Sequence, residues 1–266
     1  MKTVAVAGLG AIGLPLAQRL DAGVEGLRLI AVSAGDRVRA AARVAGFREP
    51  PAVVSPAELA AADIVVEAAP AAVFDAIAEP AIAAGRILVP ASVGALLARM
   101  HLVERARAAG ARIVVPTGAI LGLDAVRAAA EGEVASITIE TRKPPAGLEG
   151  APYLVERGLS LAGIGSETLV FEGSAAEAAA GFPANLNVGA ALALAGIGPE
   201  RTRVRIIADP AVTRNMHTIR VESEAARFVM TIEGVPSAEN PRTGRLTPLS
   251  VLACLRGLVS PLKVGS

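Results

Sequence analysis

Tryptophan is missing from this 266-residue chain, tyrosine occurs once, and cysteine occurs once, as Cys254. A single cysteine excludes an intrachain disulfide and a metal site built on thiolates. One tyrosine and five phenylalanines give no series of aromatic platforms for stacking bases, and a formal net charge of +1 gives no basic excess for a phosphate backbone. A nucleic-acid partner is not expected. The longest apolar runs are broken by Gly, Pro, Arg or Asp, which argues against a membrane span. No charged segment followed by an apolar one reads as a secretory signal, so a cytoplasmic location is the expectation.

What is present is aliphatic. Hydrophobic residues make up 53% while aromatics are only 2%, so the core has to be built from Ala, Val, Leu and Ile. Such cores suit parallel strands covered by close-packed helices, and abundant alanine favours helix. Through residue 115 short apolar runs alternate with helical stretches: strands over 3–7, 27–32, 64–68, 87–90 and 112–115, helices over 14–20, 40–45, 74–84 and 95–109. Gly or Pro stands at most boundaries. This alternation predicts a doubly wound parallel sheet.

The texture changes after Gly118. Strands are expected over 134–141, 168–171, 204–208, 217–222 and 227–232, with helices over 174–180, 187–194 and 249–258. The fold class that follows is α/β: an N-terminal Rossmann domain over 1–118, then an α+β domain with a mixed or antiparallel sheet over 119–245. The latter is expected to carry substrate and dimerisation, and the last helix, within 246–266, to pack back on the first domain.

Gly8-Leu9-Gly10-Ala11-Ile12-Gly13 follows the first strand directly and opens the first helix. Gly8 permits the tight turn, Gly10 lets backbone approach a pyrophosphate, and Gly13 lets helix pack on strand. The N–H groups of Ala11, Ile12 and Gly13 then face an anion at a helix N-terminus. No Gly-Lys-Ser/Thr follows, which excludes a P-loop. In NAD-binding domains an acidic residue about 20 residues on holds the ribose 2′-hydroxyl. Here Ser33 stands in that place, followed by Asp36 and Arg37. Asp36 can reach a ribose, Arg37 can accept a 2′-phosphate, and both can equally be a solvated turn. The cofactor is NAD or NADP.

Two downstream segments carry polar residues where scaffold needs none. In Phe182-Pro183-Ala184-Asn185-Leu186-Asn187 an asparagine at a helix start either caps the helix or holds a carboxamide such as that of nicotinamide. In Asp209-Pro210-Ala211-Val212-Thr213-Arg214-Asn215-Met216-His217 a strand begins on one of only two histidines. A lone histidine is commonly structural. A dehydrogenase, however, needs a proton-transfer group, and this chain offers few. The other, His101, lies beside Met100 and Leu102 on a helix and reads as a surface or packing residue.

The pieces together resemble the L-aspartate dehydrogenases. The matching segments are the glycine loop, Val66-Glu67-Ala68-Ala69, Ser92-Val93-Gly94-Ala95-Leu96, Gly118-Ala119-Ile120-Leu121-Gly122-Leu123-Asp124-Ala125, Thr141-Arg142-Lys143-Pro144-Pro145, Phe171-Glu172-Gly173, the Asn185/Asn187 segment, Asn215-Met216-His217 and Asn240-Pro241-Arg242-Thr243. They run in order across nearly the whole chain. The resemblance implies a Rossmann domain plus a catalytic domain in a homodimer, cofactor contacts at Ala69, Ala119 and Asn187, and an active-site role for His217. It also implies L-aspartate or oxaloacetate plus ammonia as substrates, and a link to pyridine nucleotide biosynthesis through iminoaspartate.

A dicarboxylate substrate calls for cations, because guanidinium grips carboxylate bidentately. Arg142 and Arg242, with Asn215 and Thr243, are the expected substrate contacts; Lys143, Arg214 and Arg245 are further candidates. Asp209 either orients the imidazole or serves as a turn residue before Pro210. Competing readings are a related Rossmann oxidoreductase acting on another small amino acid or oxoacid, and a non-catalytic dinucleotide-binding regulator.

Overall fold

The computed structural model describes residues 1–183, 186–237, 239–240 and 243–265. The chain divides into two compact units. One comprises Met1–Pro116 together with the segment from Thr247 onward, and the other Thr117–Leu246.

The first unit runs β1 (Lys2–Ala7), α1 (Gly13–Asp21), β2 (Leu27–Ser33), α2 (Arg37–Val44), β3 (Ala52–Val53), β4 (Ile64–Glu67), α3 (Phe74–Ala83), β5 (Ile87–Pro90), α4 (Val93–Leu97), α5 (His101–Ala109) and β6 (Arg112–Ile113). Its six strands are parallel in the order β3-β2-β1-β4-β5-β6. The order reverses between β1 and β4, and ligands of such sheets bind outside the strand carboxyl ends at that reversal. Both inner strands are apolar because both faces are covered: Val4, Val6, Ile64 and Val66 are fully buried.

The stretch expected as one helix over 95–109 is two, α4 and α5. The Ala95 carbonyl accepts from the Arg99 guanidinium at 3.1 Å, while the Arg99 amide bonds instead to Leu96. The tightened turn breaks the ladder.

The second unit contains α6 (Leu123–Ala129), β7 (Val134–Lys143), α7 (Pro152–Glu156), β8 (Thr168–Ser174), α8 (Ala175–Gly181), α9 (Asn187–Ala195), β9 (Arg203–Ala208), β10 (Met216–Ser223) and β11 (Arg227–Glu233). Its mixed sheet has the order β11-β10-β7-β9-β8, with only β7 and β9 parallel. Along β7 and β10 side chains alternate between faces. Ile137, Ile139, Ile219 and Val221 are buried on one face, while Thr138, Thr218 and Arg220 alternate with them. Ser174 starts α8 with a reciprocal cap: its hydroxyl accepts from the Glu177 amide and its amide donates to the Glu177 carboxylate. The final helix, α10 (Leu246–Gly257), places Val251 and Leu255 in the core of the first unit among Leu16, Leu20, Leu27 and Leu29.

Candidate active site

In the first unit the glycine loop joins β1 to α1 at the carboxyl edge of the sheet. Gly8 has φ +86° and donates its amide to Ser33 O at 2.7 Å. A Cβ there would lie 2.3 Å from the Ala68 carbonyl oxygen, and one on Gly13 would lie 1.8 Å from the Gly8 carbonyl oxygen. Neither position tolerates a side chain. A Cβ on Gly10 would meet nothing within 4 Å, so this edge of the loop is open to a ligand. Ile12 occupies the N-cap of α1, and no side chain caps that terminus; with Ala11 and Gly13 it presents helix N–H groups of the kind that anions occupy. Arg43 reaches from α2 to the Leu9 carbonyl and fixes the loop from behind. These features fit a dinucleotide pyrophosphate.

At the ribose position Ser33 is buried and ends β2. Asp36 is the N-cap of α2, its Oδ1 accepting from the Arg39 amide at 2.9 Å. Arg37 is exposed and donates to Val53 O. Ala69 lies after β4, with its amide on Glu67 Oε1 at 3.0 Å. Glu67, which is not among the expected site residues, is fully buried. Its signal is an acidic residue ending an otherwise apolar strand, Ile64-Val65-Val66-Glu67.

In the second unit one end of the sheet collects the polar candidates. His217 pairs with Thr141 across β10 and β7, and His217 Nδ1 lies 3.0 Å from Thr141 Oγ1. Both are buried, as is Lys143, two residues along β7 and so on the same face. Burial, then the positive charge of Lys143, pulls the His217 pKa down from 6.5 to about 3. The imidazole is therefore neutral at neutral pH. Asn215 is half-buried just before β10, its carbonyl accepting from Gly234 at 2.8 Å. Thr243 precedes Gly244, which bridges to Pro236, and bonds through its backbone to Asn240 and Ser237. Ala119 is in the turn from Thr117 to Ile120. Arg242 and Asn185 lie outside the described residues.

One expectation is corrected and two open alternatives are narrowed. Arg142 pairs with Met216, so its side chain leaves the sheet on the face opposite His217. There it is held by the carboxylates of Glu167, Asp209 and Glu140, which push its pKa upward. A guanidinium so occupied, on the wrong face, does not join the His217 cluster. Asp209 accepts from Arg142 at 2.9 Å and from the Ala211 amide at 2.8 Å; it is a turn residue bound to Arg142, and Thr141 is the imidazole's neighbour. Asn187 is the first residue of α9, whose N-cap is Leu186, so it is not the capping residue.

Residues 124–258 match the aspartate dehydrogenase C-terminal domain family. The chain belongs to the L-aspartate dehydrogenase family. Residues 8–116 match the NAD-binding domain of homoserine dehydrogenase, which makes the first unit a nicotinamide-dinucleotide-binding domain. The chain is 53% identical to an L-aspartate dehydrogenase of Bradyrhizobium diazoefficiens, over 99% of this chain and 94% of that one. It is 38% identical to the L-aspartate dehydrogenase of Methanosarcina mazei over the full length of both. Among solved structures, the aspartate dehydrogenase of Thermotoga maritima superposes with a TM-score of 0.74 at 26% identity, covering 100% of each chain. A homoserine dehydrogenase of Thiobacillus denitrificans, at 15% identity and a TM-score of 0.62 over 97% of this chain and 73% of that one, shares the fold.

Proposed function

We propose that this chain oxidises L-aspartate with NAD or NADP to iminoaspartate, which adds water and releases ammonia to leave oxaloacetate, and that it also runs the reverse amination. The observation that carries the reading is the buried trio of His217, Thr141 and Lys143 on one face at one end of the mixed sheet. The bound dinucleotide supplies the hydride acceptor. In the first unit Gly8, Gly10 and Gly13, with the amides of Ala11 and Ile12, hold its pyrophosphate. Ser33 brings no carboxylate, Asp36 turns its own to the Arg39 amide, and Arg37 stands nearby, which supports use of either dinucleotide. Ala69, Ala119 and Asn187 are its further proposed contacts.

His217 takes the proton from the water that attacks the imine carbon and returns it to the departing nitrogen. An imidazole with a pKa of about 3 is a weak base. A dicarboxylate substrate alters that in part: burial, the larger cause, remains, but one carboxylate on Lys143 offsets the positive charge that is the lesser cause, and nearby negative charge favours the protonated imidazole. The base is thus strengthened when substrate is present. Lys143, with Asn215 and Thr243, receives the substrate carboxylates in this reading. Release of iminoaspartate before it adds water links the proposed reaction to pyridine nucleotide biosynthesis, and the family resemblance supports a homodimer, for which light scattering should give twice the chain mass.

The deciding experiment is a steady-state panel: aspartate and other amino acids with each oxidised cofactor, and oxaloacetate or other oxoacids plus ammonia with each reduced one. Aspartate and oxaloacetate are expected to give the highest kcat/KM. Faster turnover of homoserine or another amino acid, or cofactor binding with no turnover at all, overturns the assignment.

A further inference from the structure

Glu67 is a buried carboxyl that neither the hydride chemistry nor the phosphate loop uses. It ends β4, the strand beside β1 at the point where strand order reverses. Its Oε1 accepts from the Ala69 amide and from the Ser92 hydroxyl, each at 3.0 Å, and its Oε2 accepts from the Ser92 amide at 3.0 Å. One carboxyl therefore fastens two separate turns, the one after β4 and the one after β5. The first of these turns is the surface on which the phosphate loop rests. A Cβ on Gly8 would lie 2.3 Å from Ala68 O and 2.9 Å from Ala69 Cα, so the Gly8 backbone sits directly against the Ala68–Ala69 peptide.

We propose that Glu67 is a positioning residue for the dinucleotide: by tying the turn after β4 to the turn after β5, it holds the Ala68–Ala69 backbone that sets the height of Gly8 and hence of the phosphate loop. The proposal rests on the reading of the first unit as the dinucleotide site. Burial raises the Glu67 pKa, and the bonds from Ser92 and Ala69 oppose that rise. A buried acid is costly to the fold unless its bonds return something, and here all three bonds converge on the loops at the carboxyl edge of the sheet.

The same sheet contains an internal control. Asp63 precedes β4 at its opposite, amino-terminal end and makes a comparable anchor, its Oδ2 accepting from the Thr3 amide and hydroxyl at 2.8 Å each. Asp63 is far along the strand from Gly8 and has no part in the proposed site. Glu67→Gln sets its NH2 against a backbone amide in either flip, that of Ser92 or that of Ala69, donor facing donor, and releases one of the two turns. Asp63→Asn weakens a similar knot at the other end.

The test measures binding of NADH and NADPH by their fluorescence, together with KM and kcat, in wild type, Glu67→Gln, Ser92→Ala and Asp63→Asn. Glu67→Gln is expected to raise the cofactor Kd and KM at least about tenfold, the effect of losing one hydrogen bond to a charged group. Its kcat at saturating cofactor should stay within about twofold, since positioning for binding is lost and chemistry is not. Ser92→Ala, which removes one of the three bonds, should give a smaller rise in the same direction. Asp63→Asn should lower the Tm while leaving cofactor Kd unchanged. If Glu67→Gln does not fold, the comparison of Ser92→Ala with Asp63→Asn decides. Unchanged or tighter cofactor binding in Glu67→Gln, or equal weakening in Asp63→Asn, overturns the proposal while wild-type binding leaves the underlying reading intact. A wild-type protein that binds neither reduced dinucleotide overturns both.

Discussion

Two neighbouring residues of β7 carry opposite expectations because a strand sends them to opposite faces. Lys143→Ala should raise the KM for aspartate at least about tenfold, as loss of a charge-assisted hydrogen bond does. Arg142→Ala should leave that KM within about twofold and instead destabilise the second unit by about 1–3 kcal/mol, because the buried Asp209 loses its ion-pair partner. Initial rates and urea melts of the two variants separate these outcomes; a large KM change in Arg142→Ala alone returns it to the substrate. His217 gives a second pair of readouts. His217→Asn should lower kcat at least about a hundredfold with the fold retained. Its folded pKa of about 3 lies below the usual 6.5, so between these values the unfolded chain binds a proton that the folded chain does not. That term stabilises the fold fully above 6.5 and is lost as pH falls toward 3. Glu67 acts oppositely, since its raised pKa makes stability fall as pH rises through the carboxyl range. The difference between wild type and His217→Asn cancels that contribution. In urea melts from pH 7.5 to 5, wild type should lose more stability on acidification than His217→Asn, and equal slopes would contradict a buried neutral imidazole.

At the scale of elements, the strand–loop–helix of β1 and α1 makes its own prediction, because its glycines meet different neighbours. Gly13→Ala forces a methyl onto the Gly8 carbonyl and should lower the Tm and abolish cofactor binding together. Gly10→Ala puts its methyl into space that no protein atom occupies, so the Tm should hold while cofactor Kd rises at least about tenfold, the methyl standing where a phosphate needs backbone. A fall in Tm of equal size in both variants would mean that Gly10 is structural. This loop was legible because its whole mechanism is local: strand, three glycines and helix are adjacent in sequence. The alternation of Ile137 and Ile139 was legible too, and carried two and four residues further it puts Thr141 and Lys143 on the face that His217 joins. The expectation for Arg142 followed guanidinium chemistry over strand parity, and parity prevailed. The partners of Arg142 and Glu67 were not legible. Asp209 is 67 positions from Arg142 and Ser92 is 25 from Glu67, and no local pattern tells which strands become neighbours. Of the two readings of Asn187 the cap is the one not taken: asparagine is a good cap by propensity, but the helix begins one residue earlier than a cap at Asn187 requires.

At the scale of the whole molecule, the first unit is discontinuous in sequence. The chain leaves it at Pro116 and returns at Thr247, so part of the dinucleotide domain's core is made last in the chain. Val251 and Leu255 of α10 are fully buried in the same cluster as Val4, Val6, Leu9 and Leu16, the residues that carry the glycine loop. A Cβ on Gly26 would lie 3.1 Å from Val259, which continues this contact past the helix. The cluster's buried members are aliphatic, with Phe47 only partly buried against them, and neighbouring side chains relax only partly into a cavity. Leu255→Ala should therefore destabilise the first unit by about 2–5 kcal/mol. Because the cofactor binds only the folded unit, saturating NADH or NADPH should recover part of the lost Tm. Thermal melts with and without cofactor, in wild type and Leu255→Ala, measure both effects. A variant that melts like wild type would show that α10 is an appendage; one whose Tm falls yet rises again with cofactor shows that the end of the chain helps build the fold that carries its first loop.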